Sequence, residues 1–228
     1  NGTIVFDGKV LKFKATEKNS INKFYTNRIS LLDLQVPKIG NSINVIKAFD
    51  DSLITNQFRY KINSNSSFIE PSIDDDIFKI VVINRYNKAK PSIVFINGFK
   101  IKEGAIGSTI AHDSHNIIVV GTNDNFISRV IDKLQEIKGG IAYVNSDSSD
   151  FLSLQIGGLM SLESADYVNE KYTILNNQIA KMGCKMKNPF ITLSFMALLV
   201  IPELKIGDRG LFDVNKFEFI NLQNECSD

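Results

Sequence analysis

Gly104-Ala105-Ile106-Gly107-Ser108-Thr109-Ile110-Ala111-His112-Asp113-Ser114-His115-Asn116-Ile117-Ile118-Val119-Val120-Gly121-Thr122-Asn123-Asp124 is the stretch around which the rest of the 228-residue chain is arranged. It holds both histidines, two carboxylates and a run of hydroxyls, set between strongly apolar β-like segments. A polar side chain buried there needs a hydrogen-bond partner, because leaving it without one costs about 1–3 kcal/mol. From His112 to Asn116 every residue can hydrogen-bond through its side chain. The run is therefore either a site or a polar bend in which Asp113, Ser114 and Asn116 satisfy local backbone while the histidines cap strand ends.

Outward from this stretch the pattern becomes regular. Asn116 to Gly121 predicts a strand, Thr122-Asn123-Asp124 supplies helix N-caps, and Phe126, Val130, Ile131, Leu134 and Ile137 fall at helical spacing before Gly139-Gly140. A strand over Ile141 to Asn145 completes a βαβ-like unit whose helix N-terminus is able to attract an anion. Neither Walker nor dinucleotide glycine spacing occurs, which excludes a nucleoside triphosphate loop of those kinds. Upstream, Ile77 to Arg85 is apolar enough to be buried on both faces, and Pro91 to Phe99 is the next strand. Arg85, closing the first of these, is either an anion contact or a surface pair. Asp74-Asp75-Asp76 reads as a solvated turn, since one run does not supply the converging oxygens a hard cation needs.

Further out, residues 3 to 14 alternate around Asp7-Gly8 as a hairpin, Glu17 to Val36 is a connector with helical turns around Asn22 to Leu34, and Ile43 to Phe49 and Ile54 to Ile62 are strands. Toward the C-terminus Phe151 to Ile156 is a short strand and Gly157-Gly158-Leu159-Met160-Ser161 a flexible joint. A long amphipathic helix is capped by Ser164, marked by Tyr167, Val168, Tyr172, Leu175 and Ile179 as a core face, and stopped by Gly183. The apolar run Phe190 to Ile201, between Pro189 and Pro202, is a buried helix too short to span a bilayer. Leu211 to Val214 and Lys216 to Leu222 are the last strands. The fold class expected is α+β: antiparallel or mixed sheets with about three flanking helices, preceded by a small hairpin region.

Composition bounds the function. With 43% hydrophobic and 22% charged residues the chain is an ordinary globular one, and Lys+Arg 26 against Asp+Glu 25 leaves no global field for nucleic acid or an anionic membrane. Cys184 and Cys226 lack metal-type spacing, so neither a zinc knuckle nor a disulfide framework is expected, and a reducing cytoplasm fits. No secretory signal opens the chain, which begins without Met on what reads as a hairpin entered halfway.

The run Phe95-Ile96-Asn97-Gly98-Phe99-Lys100-Ile101-Lys102-Glu103, continuing into the stretch quoted first, resembles the C-terminal domain of the adenine deaminase family. Gly157-Gly158-Leu159-Met160-Ser161, Asn188 to Leu198, and Ile201-Pro202-Glu203-Leu204 agree in order. The resemblance is firm over roughly residues 70 to 215, with Ala111-His112-Asp113-Ser114-His115-Asn116 its most specific part. Asn84-Arg85-Tyr86 departs from the Glu-Arg-His usual there, Gly107 and Gly157 replace alanines, and Leu199 replaces a proline.

The resemblance implies a metal-dependent amidohydrolase that converts adenine and water to hypoxanthine and ammonia in a cytoplasmic purine pathway. A divalent ion, Mn, Fe or Zn, would lower the pKa of a bound water toward about 7 and so make the nucleophile. Such centres draw on a His-X-His pair that this chain lacks, and the chain is too short to hold a (β/α)₈ barrel besides its own strands. The implied division is a small β region, residues 1–50, that accompanies a barrel, and a C-terminal domain, residues 51–228. Ser108, His112, Asp113, Ser114, His115 and Asn116 are the candidates for an active-site-facing role, with His112 and His115 also candidate metal ligands. Positions three apart on a strand face opposite ways, so the two imidazoles serve one ligand only if Asp113-Ser114 forms a turn or bulge. Implied partners are adenine, the missing barrel and further copies of the same chain. A non-catalytic oligomerisation or ligand-binding module is the competing reading.

Overall fold

The structure is a computed structural model and describes residues 22–223. Its spine is β3 (Ile77–Ile83), in which every residue is buried. Alternation of side chains along this strand sends Phe78, Ile80 and Val82 into one core and Val81 and Ile83 into another on the opposite face. β4 (Ser92–Asn97) and β6 (Ile117–Gly121) flank it, both antiparallel. β5 (Ala105–Ser108) pairs with β6 and with β7 (Gly140–Val144), and β8 (Ser149–Ser153) closes that side. On the other side β1 (Ser42–Lys47) runs parallel to β4 and antiparallel to β2 (Asn56–Lys61). The order is β2-β1-β4-β3-β6-β5-β7-β8 in one mixed sheet. The division expected near residue 50 thus falls between two hydrogen-bonded strands, β1 and β2.

One helix covers one face and two cover the other. α1 (Asp124–Glu136) buries Ile127, Val130, Ile131 and Leu134, and its first turn is held by Asn123, whose side chain accepts from Phe126 N–H. The expected βαβ unit is present with β5 inserted between its strands: β6 and β7 each pair antiparallel with β5 and therefore run parallel to each other. The N-terminus of α1 is already occupied, because Asp124 in its first turn takes the buried Lys79 at 2.7 Å. α2 (Ala165–Lys181), capped by Ser164, and α3 (Pro189–Phe195) lie over the opposite face. A second sheet of β9 (Leu204–Gly207), β10 (Gly210–Asp213) and β11 (Glu218–Ile220) completes an α+β architecture. No helix among the described residues is long and apolar enough to cross a membrane.

The hairpin expected over residues 3 to 14 lies outside the described residues. Several other expectations are corrected. The helical turns around Asn22 to Leu34 reduce to one 3-10 turn, Leu31–Leu34, closed by a capping box between Ser30 and Asp33. The apolar run to Ile201 is helical only to Phe195, because the Met196 carbonyl accepts from Ile206 N–H and the Pro202 carbonyl from Thr55 N–H, tying this segment to neighbours instead of its own next turn. Tyr167, read as core, is 47% exposed. Asp76 is not a solvated turn residue: it accepts from the N–H groups of Gly98 at 2.8 Å and Lys100 at 2.6 Å, bracing the joined ends of β3 and β4. Burial pushes its carboxyl above the usual range, while those N–H groups oppose the shift.

Candidate functional site

β5 enters the polar run and β6 leaves it, and both are interior strands. Between them the chain makes a turn over residues 112 to 114. His115 N–H donates to the Ala111 carbonyl at 2.6 Å, and His115 sits at φ 51, in the left-handed region that lets the chain reverse. The condition for the two histidines to share a side is met: their ring centroids lie 5.7 Å apart at an interplanar angle of 71°. His112 rests on Phe195 at 5.0 Å, and its N–H donates to the Ser194 carbonyl, so α3 supports the motif from beneath.

The other candidates divide. Asn116 is buried and ties the loop down, its Oδ1 accepting from Arg85 N–H at 3.3 Å and its Nδ2 donating to Ser114 Oγ at 3.2 Å. Asp113 and Ser114 are exposed. Ser108 points elsewhere: it is fully buried, its Oγ accepts from Ile110 N–H at 2.9 Å, and it lines a separate, mainly apolar cavity of about 480 Å³ with Tyr172, Phe190 and Ser194.

Three further residues complete the site. Thr109 Oγ1 donates to the Gly158 carbonyl at 2.6 Å and accepts from Gly140 N–H at 2.9 Å, stitching the loop to two glycine turns. Arg85 is no surface pair: it is 4% exposed, and its Nη2 donates to the Gly157 carbonyl at 2.6 Å and to Tyr86 Oη at 2.9 Å. Tyr86 Oη in turn donates to the Ser114 carbonyl at 3.0 Å. An arginine closing an apolar strand was the visible signal for this corner. Nothing in the residue pattern pointed to Thr109, whose role depends on glycine turns distant in the chain.

Electrostatically the corner is cationic. Burial, then the neighbouring His112 and Arg85, hold the His115 imidazole below the ordinary histidine range, and its Nδ1 is buried without a partner. No group of three His, Cys, Asp or Glu side chains converges as a metal site among the described residues. A hydrolytic ion takes about three protein ligands, so His112 and His115 supply two at most and do not complete such a centre.

Residues 52–218 match the family model described as adenine deaminase C-terminal domain. Over 97% of its length the chain is 43% identical to an adenine deaminase of Methanosarcina barkeri, covering 42% of that protein. It is 39% identical to the adenine deaminase of Borreliella burgdorferi over 97% of the chain and 41% of the relative. With the adenine deaminase of Methanosphaera stadtmanae the identity is 38%, over 99% of the chain and 42% of the relative. The chain thus spans about two fifths of the length of the curated relatives it matches.

Proposed function

The chain belongs to the adenine deaminase C-terminal domain family, and from that premise we propose that it is the C-terminal part of a metal-dependent hydrolase converting adenine and water to hypoxanthine and ammonia. The observation that carries the reading is the Ala111–Asn116 turn, which sets two imidazoles 5.7 Å apart on an interior hairpin. In the proposed enzyme the hydrolytic ion, Mn, Fe or Zn, rests mainly on a barrel beyond this chain. This turn faces the mouth of that barrel and orders water or the purine edge. His115, whose pKa burial and its cationic neighbours hold below the ordinary range, suits such a task as a hydrogen-bonding imidazole. A reducing cytoplasm belongs to the same proposal and is supported by the free, buried thiol of Cys184. Self-association of the parent enzyme is also part of it.

The test is made on the longer polypeptide, supplied with divalent metal and followed by hypoxanthine formation and ammonia release. Turnover is expected from it and none from the 228-residue chain alone. In the longer protein, His112→Ala and His115→Ala should each lower kcat/KM by roughly 10–100-fold, the range for residues that support a metal centre from outside its ligand set. Adenine turnover by the short chain, or full activity in the doubly substituted long one, overturns the proposal. Sedimentation of the same preparation reads its oligomeric state.

A further inference from the structure

Among the described residues Arg85 has no carboxylate in ion-pair contact. Both N–H groups of Nη2 are used, on the Gly157 carbonyl and Tyr86 Oη, whereas Nε and Nη1 are buried without a partner. Three of the five guanidinium donors are therefore idle. The rings of Phe24 and Tyr86, 5.4 and 4.9 Å from Cζ, offset part of the loss of water. A guanidinium buried without an opposite charge gives up water and gains no ion pair in return. His115 Nδ1, in the same corner, is idle too.

We propose that Arg85 is the docking cation of this domain, the receptor for one carboxylate side chain carried by the longer polypeptide, with Tyr86 as the cover that this carboxylate displaces. The inference rests on the reading that this chain works joined to a further portion, and the coverage of the relatives, 42% or less for those described above, leaves ample chain to supply the acid. A planar fork of donors matches a carboxylate better than any other side chain. Tyr86 is 44% exposed and its side chain is held only through its hydroxyl, by two hydrogen bonds to Ser114 and Arg85, while a third, from its backbone N–H to Asn84 Oδ1, leaves the ring free to swing, so it is the cover most readily moved. Exposed Asp113 and Ser114 place the same corner at the surface. Docking here presses the arriving portion onto the histidine turn, which couples assembly of the two parts to the alignment of His112 and His115.

The experiment compares Arg85→Met and Arg85→Lys in two contexts by thermal melting. In the longer protein Arg85→Met should lower Tm, with Arg85→Lys intermediate. In the 228-residue chain, where no carboxylate among the described residues pairs with Arg85, Arg85→Met should raise Tm or leave it unchanged. A fall of equal size in both contexts, or a rise in both, overturns the proposal, since a merely structural arginine has one sign. If the short chain does not fold alone, limited proteolysis of the longer protein decides: Arg85→Met should speed severance of this domain several-fold, and an unchanged rate overturns it. Stabilisation of the short chain by millimolar phosphate that depends on Arg85, with the longer protein indifferent to Arg85→Met, would assign the guanidinium to a free anion and end the docking proposal. No arm measures adenine turnover, so the result stands apart from the catalytic reading.

Discussion

Lys79 and Asp124 join the centre of the sheet to the first turn of α1, with Nζ 2.7 Å from Oδ1 and the lysine side chain wholly buried. The Leu34 carbonyl accepts a further bond from Nζ at 3.1 Å, so one cation fastens strand, helix and the 3-10 turn. Without Asp124 the buried Lys79 charge is answered only by Glu70 Oε2, farther off at 3.7 Å on a half-exposed side chain. Asp124→Asn should therefore cost about 3–5 kcal/mol in urea unfolding, and adding Lys79→Met should recover much of that loss. A double variant as weak as the single one would mean that the charge is not the cause.

Lys205 has the opposite character. It is fully buried, donates to the Leu53 carbonyl at 2.6 Å, and has its pKa brought down to about 8 from 10.5 by burial. Between those values the unfolded chain holds more protons than the folded one, so the contribution of Lys205 to stability rises with pH across that window and its penalty is complete below it. Lys205→Met should raise stability at pH 7 by on the order of 1–3 kcal/mol and flatten the pH dependence from 8 to 10.5. Unfolding curves at pH 7, 8.5 and 10 check both.

Cys184 is 3% exposed, and burial pushes its thiol up to about 11. In a Cys226→Ser background at pH 8 it should react with a disulfide reagent at least roughly 100-fold more slowly when folded than in denaturant, since the thiolate is the reactive form. Rapid modification of the folded protein would contradict the packing described for α2 and its C-terminal turn.

Gly107 sits beneath α1 with no room for a side chain. A Cβ at this position would stand 2.5 Å from Val130 Cγ1 and 2.9 Å from Val119 Cγ2, because α1 lies directly on β5. Gly107→Ala should destabilise by about 1–3 kcal/mol through overpacking, as measured by chemical denaturation. Pairing it with Val130→Ala should restore most of the loss.

Much of the fold was legible where local pattern and global packing agree. The unbroken apolar run from Ile77 is buried on both faces, Asn123 and Ser164 start helices, and α1 shows its buried face at the expected spacing. β5 and β9 leave no mark in the sequence because Ala105–Ser108 and Leu204–Gly207 are four residues each, too short for a period of two to stand out, and Gly107 or Lys205 breaks the apolar signal. α3 is shorter than its apolar run because hydrophobicity does not distinguish a helix from a buried turn tied to its neighbours. In the site, the histidines and Asn116 announced themselves as polar groups in an apolar setting. The burial of Arg85 did not, since it depends on Phe24, Tyr86 and Gly157 meeting from three parts of the chain.

The histidine turn hangs from β5 and β6, two strands with neighbours on either side. Its anchoring amides should therefore exchange with deuterium about as slowly as those of the sheet's middle, unlike the tip of an ordinary surface loop. A body pressing on this corner meets an anvil, and most of the yielding when the two come together falls to the visitor and to the ring of Tyr86.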